Sequence, residues 1–447
     1  MTHFGILSFP GKGHLYPLTA LGRELARRGH EVTVFQVRDA GPLVRAAGLS
    51  FCEIGLSEFP SGSLRALDAR LGRLQGFAAL KFIHERFGQN AAMLLREAPE
   101  AVRAAGVDVL LVDQAELAGG TVAECLGLPF VTAILTLPFN RDPSVPFCCY
   151  HDTINRGVVA RARNALGNAR VARLGASNRA RINDARRRWR LPLLSSDEAF
   201  YSGLAQITQV PREFDFPERA LPPHFHYAGP FLDPGSRCQV DFPWERLDLS
   251  RPLAFVSMGT LQNGVEQVFR LVAEACAGLP IQPVISLGGG LSEESLGALP
   301  GSPLVVRYAP QLELLKLAAL TIFHGGLNTA LESLAHGVPM VALPVTIDQP
   351  GVGARIKRTH TGTSIPVQRL STRSLRAAII EVLKDPSYRQ NAQRFQRQIA
   401  RASGVELAAQ LIEAALGPTR SPTYSYAEGS FAGADANRVL PLTFTPA

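Results

Sequence analysis

Short apolar runs alternate with stretches of helical spacing along this chain, and the alternation begins again past its midpoint. "FGILSF" (4–9) ends in the glycine-rich turn "PGKGHLYP", "LTALGRELARRGH" has helical spacing, and "EVTVF" (31–35) is the next apolar run. "VDVLLVD" (107–113) and "PFVTAIL" (129–135) continue the pattern. Beyond the proline-rich passage "GPFLDPGSRCQVDFPWERLDLSRP" (229–252) come "LAFVSMGT" (253–260), "IQPVISLGGG" (281–290), "PLVVRYAP" (303–310), "LTIFHGG" (320–326) and "VPMVALPV" (338–345). Such alternation predicts parallel sheets wrapped by helices, an α/β chain of two tandem Rossmann-like, doubly wound domains. Two such domains face each other across a cleft at the carboxyl ends of their strands, where ligands bind. The expected boundaries are 1–232 for the first domain, 233–252 for a linker and 253–385 for the second domain. Helices over 386–416 are expected to cross back to the first domain, and the turn-rich 417–447 stretch reads as a flexible tail.

A chain of 447 residues, 46% apolar and 19% charged, has the mix of a globular protein with room for two cores. Its start, "MTHFGILSFPGKGH", lacks a cationic region followed by an apolar run and a cleavage site. "LGLPFVTAILTLPF" (126–139) is too short and too proline-marked to cross a bilayer, so the expected location is cytoplasmic. Six cysteines, at 52, 125, 148, 149, 238 and 276, show no metal-ligand spacing and read as structural thiols. The net charge of +8 is concentrated locally. Arg156, Arg161, Arg163, Arg170, Arg173, Arg179, Arg181, Arg186, Arg187, Arg188 and Arg190 have only Asp152 and Asp184 as acidic neighbours. Two readings are open for 156–190: a solvated helical face, or peripheral contact with an anionic membrane. Aromatic residues are too scarce there for nucleic acid.

In "FHGGLNTALESLAHGVPMVALPVTIDQ" (323–349) a strand runs into His324, Gly325 and Gly326, and a segment of helical spacing follows. Free backbone N–H groups and the positive end of the helix dipole make such a turn a site for phosphate. Glycine lets the phosphate approach, His324 can add a donor, and Glu332 lies one turn in, where it can accept from ribose hydroxyls. On the residues alone, a helix cap with a satisfied histidine is the other, more ordinary reading.

"YAPQLELLKLAALTIFHGGLNTALESLAHGVPMVALPVTIDQ" (308–349) resembles the sugar-nucleotide signature of the inverting, metal-independent UDP-sugar glycosyltransferases, the macrolide, carotenoid and plant secondary-metabolite enzymes of GT-B fold. Pro-Gln, His-x-Gly, Glu and Asp-Gln elements occur in order, the likeness spans about residues 1–416, and "DQPGVGARI" leans to the carotenoid and macrolide branch. The resemblance implies a donor site in which Tyr308 stacks on the base, where the family usually has tryptophan, with Gln311 near base or ribose. It implies His324, Gly326, Asn328 and Thr329 on the phosphates, Glu332 on ribose, and Asp348 and Gln349 on the sugar. Ser257, Gly259 and Thr260 match the loop covering the donor. The tyrosine departs from the pattern and leaves the choice between uridine and thymidine donors open.

The same resemblance makes His14, in the loop after the first strand, the catalytic histidine, and Asp113 its acidic partner. A hydroxyl is a weak nucleophile until a base takes its proton, and a carboxylate on the far ring nitrogen fixes the tautomer. It implies transfer of a hexose, glucose foremost, from UDP to a hydroxyl of a small molecule, with inversion. The helix terminus and His324 are expected to supply the positive field at the diphosphate, so no metal or other cofactor is expected. If "LPFNRDPSVPFCCYHD" (137–152) and "LQGFAALKFIHERF" (74–87) line the cleft rather than a core, the acceptor is apolar and bulky. A sugar-nucleotide epimerase and a non-catalytic nucleotide-sugar-binding helper are the alternatives.

Overall fold

The computed structural model describes residues 1–74, 76–151, 157–237, 239–260, 263–401 and 403–417. Arg156, Cys238 and the expected tail beyond Gly417 lie outside the described residues.

The first sheet contains β1 (His3–Leu7), β2 (Glu31–Gln36), β3 (Ser50–Glu53), β4 (Val109–Asp113), β5 (Phe130–Ile134), β6 (Gln206–Thr208) and β7 (Phe225–Tyr227). All pairings are parallel and the order is β3-β2-β1-β4-β5-β6-β7. The second contains β8 (Leu253–Ser257), β9 (Gln282–Ser286), β10 (Leu304–Val306), β11 (Ala318–Phe323), β12 (Met340–Ala342) and β13 (Gly362–Ser364). It too is all parallel, in the order β10-β9-β8-β11-β12-β13. The central strands are apolar but for their carboxyl ends because helices cover both faces: every residue of β4 and β8 is buried. In each sheet the order reverses beside the first strand, between β1 and β4 and between β8 and β11. Those reversals are where connections leave in opposite directions and open a crevice.

The chain from β7 to β8 is tied to the first domain. Asp233 caps a short turn through Gly235 N (2.8 Å) and pairs with Arg23 Nε (2.6 Å) on the helix Lys12–Arg27. The helix Gly404–Leu416 also packs on that domain, placing Val405, Ala408, Ala409 and Ile412 in one core with Leu18, Leu21 and Leu25. A Cβ at Gly404 would overlap the carbonyl oxygen of Pro230, and Glu413 takes Arg28 through two bonds of 2.8 and 2.6 Å.

Between the domains lies an apolar seam with one buried ion cluster. Leu137, Cys148, Val210 and Phe214 pack with Phe323, Leu327, Leu331 and Val352. Asp215 meets Arg355 Nη2 at 2.5 Å, accepts from Tyr227 Oη at 2.8 Å and lies 3.5 Å from Arg219 Nε, with the Arg355 guanidinium over the Phe216 ring. Burial pushes the Asp215 carboxyl up, but the two guanidinium groups outweigh it and hold it well below the usual carboxylate range. The 137–152 stretch, open in the sequence between the acceptor cleft and a core, thus spends Leu137 and Cys148 on this seam, where Cys148 O accepts from Gly351 N (2.9 Å).

The basic segment forms the helix Val158–Arg188 on the outside of the first domain, packed on the helix Gly76–Ala104. Its buried Arg186 donates to Glu124 (2.5 Å) and Thr121 (3.0 Å), and Arg179 pairs with Asp197. Cys52, Cys125, Cys148, Cys149 and Cys276 are free thiols.

Candidate active site

At the first reversal β4 ends on Asp113, which is fully buried. Its carboxylate accepts from Phe9 N (3.1 Å), Ala115 N (3.0 Å) and His14 Nδ1 (2.7 Å). These three donors fix both oxygens, so Nδ1 carries the resting proton and Nε2 keeps its lone pair. Among the described residues nothing bonds to Nε2. Burial pulls the imidazole pKa down, but the charge and hydrogen bond of Asp113, with Asp348 adding to them, leave it raised. His14 stands in the first turn of the helix Lys12–Arg27, not in a loop as expected, because helical backbone begins right after Gly11. Phe9 packs edge-on against its ring at 5.4 Å, and Phe87 against Phe9 at 5.3 Å. Arg86, over the Phe9 ring and paired with Asp68 at 3.1 Å, opposes the rise in the His14 pKa. Behind Asp113, the carboxyl of Glu116 is buried, bonded to Asn90 and pushed far up by burial and by Asp113.

At the second reversal β11 delivers His324, and Gly325 (φ 83°) turns the chain into the helix Leu327–Ala335. The N-cap, Gly326, makes no side-chain bond, which leaves the first N–H groups of the helix open to a ligand. His324 N donates to Ser257 O (3.3 Å), joining the ends of β11 and β8. Its ring lies between two glycines: a Cβ at Gly259 would fall 2.5 Å from Cε1, and one at Gly326 would overlap Nε2. Burial pushes the imidazole down to about 4, and Nδ1 is buried with no partner among the described residues. Ligand-free His324 is therefore neutral at ordinary pH. It can donate one hydrogen bond but does not carry the charge expected of it.

Gly259 (φ 73°) donates to Ser257 Oγ at 3.2 Å, and Thr260 ends this loop half-buried. Asn263 Nδ2 bonds Gly259 O (3.1 Å) and Gly288 O (2.8 Å), holding two glycine turns together. Tyr308 is 38% exposed, its hydroxyl lies where a Cβ of Gly289 would be, and Lys12 Nζ of the first domain stands 5.1 Å above its ring.

The two turns touch. Pro17 has no N–H to give to Gly13 O, the bond an ordinary helix would make. Asn328 Nδ2 donates to that carbonyl instead (2.6 Å), while Asn328 Oδ1 accepts from Gln209 (2.8 Å). Thr329 lies beside Gln311 Nε2 (3.4 Å), whose amide also donates to buried Glu332. The other oxygen of Glu332 pairs with Arg237, which lies over the Tyr16 ring at 4.2 Å. Asp348 accepts from Leu137 N at 3.4 Å, and burial raises its carboxyl. The preceding Ile347 has φ 61°, a costly conformation for a β-branched residue, held by packing with Leu71, Phe82 and Ile83. Gln349 closes this turn by accepting from Val345 N (2.8 Å) and Thr346 N (3.1 Å).

The residues singled out from the sequence thus lie at the two reversals and the turn through Asp348 beside them, except Tyr308 and Gln311, which follow the edge strand β10; Gln311 reaches the second reversal through Thr329 and Glu332. Arg237, Gln209, Pro17, Asn263 and Ile347 were not singled out. Only Pro17 carried a local signal, a proline directly before the helical pattern at Leu18, and the structure places it inside the helix Lys12–Arg27. Of the 74–87 stretch, Phe82 and Ile83 are buried in a small cluster, and Phe87 reaches toward His14 through Phe9. Among the described residues no group of three His, Cys, Asp or Glu could hold a metal ion.

Residues 203–401 match the family model described as UDP-glucoronosyl and UDP-glucosyl transferase. The zeaxanthin glucosyltransferase of Pantoea ananas is 32% identical over 92% of this chain and 96% of its own length. That of Pseudescherichia vulneris is 32% identical over 94% of this chain and 100% of its own. The crystal structure of the kitacinnamycin glycosyltransferase, 24% identical, superposes with a TM-score of 0.72 over 93% of this chain and 99% of that one.

Proposed function

The chain belongs to the UDP-sugar glycosyltransferases of GT-B fold, and from that premise we propose that it moves a hexose, glucose foremost, from UDP to a hydroxyl of an apolar natural product. The observation that carries this reading is the 2.7 Å contact of His14 with Asp113 at one sheet reversal, joined through Asn328 and Gly13 to the phosphate-type turn at the other. The acceptor class rests on the aromatic wall of Phe9 and Phe87 beside His14 and on relatives named for zeaxanthin.

In this reaction Nε2 of His14 takes the acceptor's hydroxyl proton as its oxygen bonds to the anomeric carbon. The bond from that carbon to the diphosphate oxygen breaks on the opposite side, so configuration inverts. Asp113 balances the imidazolium that forms. The open N–H groups at Leu327–Thr329 and the neutral donor His324 meet the diphosphate. Glu332, shared with Gln311 and Arg237, accepts from ribose, Tyr308 takes the base, and Asp348 with Gln349 holds the sugar hydroxyls. Ser257, Gly259 and Thr260 cover the donor. Phosphate binding of this kind uses no metal, so excess chelator should leave turnover nearly unchanged.

Purified protein incubated with UDP-glucose and a hydroxylated carotenoid should give a hexosylated product by mass spectrometry. Epimerised UDP-sugar without acceptor would favour an epimerase, and UDP binding with no product would favour a helper.

A further inference from the structure

The helix Val158–Arg188 presents a face that this reaction does not use. From Val158 to Asn183 it contains no acidic residue, and Arg161, Arg163, Arg170, Arg173 and Arg181 are exposed. Arg161, Arg170, Arg173 and Arg181 form no ion pair with a described residue, whereas Arg179, Arg186 and Arg187 are paired. At helical spacing Val158, Val159 and Leu166 share the outward arc with Arg170 and Arg173. These three apolar side chains are 84%, 84% and 55% exposed, an arrangement water does not favour.

The inward arc fixes where this face points. Asn164 Nδ2 donates to Pro143 O (3.3 Å), and a Cβ at Gly167 would meet the Tyr150 ring at 2.8 Å. The helix therefore lies directly outside the 137–151 loop, whose Leu137 N bonds Asp348 at the sugar turn.

We propose that this outward arc is a peripheral docking surface for an anionic phospholipid bilayer. Charge complementarity selects that occupant: an acid-free row of guanidinium groups meets lipid phosphates, while Val158, Val159 and Leu166 enter the boundary between headgroups and acyl chains. Among the described residues no helix is long and apolar enough to cross a membrane, so the contact is superficial. Its use, bringing the cleft to a reservoir of apolar acceptor, rests on the proposed function; the docking itself does not.

Co-sedimentation of the full chain with lipid vesicles tests this without donor or acceptor, so its outcome is independent of glycosyl transfer. The protein should pellet with phosphatidylglycerol-containing vesicles, not with pure phosphatidylcholine, and less at high salt. The triple variant Arg170→Glu, Arg173→Glu, Arg181→Glu should lose about 100-fold or more in partition, and the corresponding lysine variant should keep it. Val158→Asp with Val159→Asp should weaken binding while the circular dichroism spectrum stays unchanged. Failure of the wild-type chain to pellet with anionic vesicles, or equal pelleting of the glutamate triple variant, would overturn the proposal.

Discussion

At the reversal between β1 and β4 the first sheet sets His14 against the buried carboxylate of Asp113; at the matching reversal between β8 and β11 the second sets His324 between Gly259 and Gly326. Burial pulls both imidazoles down. Only His14 has a carboxylate to outweigh that, and its pKa ends raised while that of His324 falls to about 4. Equivalent places in two similar sheets thus hold one imidazole with a raised pKa and one that is neutral. The partner on the far ring nitrogen decides which, and the fold decides only that both stand at the cleft.

The contrast has meaning while the two turns face each other, and Asp215 with Arg355 and Arg219 helps to hold them so. Asp215→Ala leaves two buried guanidinium groups without a counter-charge and should lower unfolding free energy by about 3–5 kcal/mol, read from denaturant titration. An unchanged midpoint would assign the seam to its apolar contacts alone. His14→Ala should cut turnover by about 100-fold or more while calorimetry shows UDP affinity unchanged. Loss of UDP binding in that variant would erase the division of labour between the sheets.

Asp113→Asn should lose less turnover than His14→Ala, since it positions the base without taking the proton. It should also move the pH profile. A base works when neutral, so kcat/KM of the wild type should rise with pH through a His14 pKa above the ordinary histidine value, and the asparagine variant should shift that limb to lower pH. A limb that stays in place would detach Asp113 from the base. The smallest effect expected is on the donor side: Glu332→Ala should weaken UDP binding by about 1–3 kcal/mol. Turnover should fall through donor KM more than through kcat.

Much of this was legible in the residues because buried parallel strands are written as unbroken apolar runs, and β1, β4, β8 and β11 are of that kind. β3, β6, β7 and β13 were missed: each is four residues or fewer and mixes in polar residues, unlike the equally short but wholly apolar β10 and β12. The His-Gly-Gly turn announced itself through glycine and the helical spacing after it. Arg237 did not, since its meeting with Glu332 depends on how a linker folds across the cleft. Nor did the loss of charge on His324, a result of close packing by two glycines that lie 67 residues apart in sequence, 259 and 326. The helical reading began six residues late, at Leu18 instead of Lys12, because Gly13 and Pro17 interrupt its pattern; that is why His14 was expected in a loop.

The central claim is a direct displacement, with the base on one sheet and the leaving diphosphate on the other. The anomeric coupling constant of the glucosylated product, read by proton NMR, tests it most directly. UDP-glucose carries an α linkage, so the account predicts a β-linked product. An α-linked product would mean that configuration is retained, and His14 could not then act as the base of a single in-line transfer.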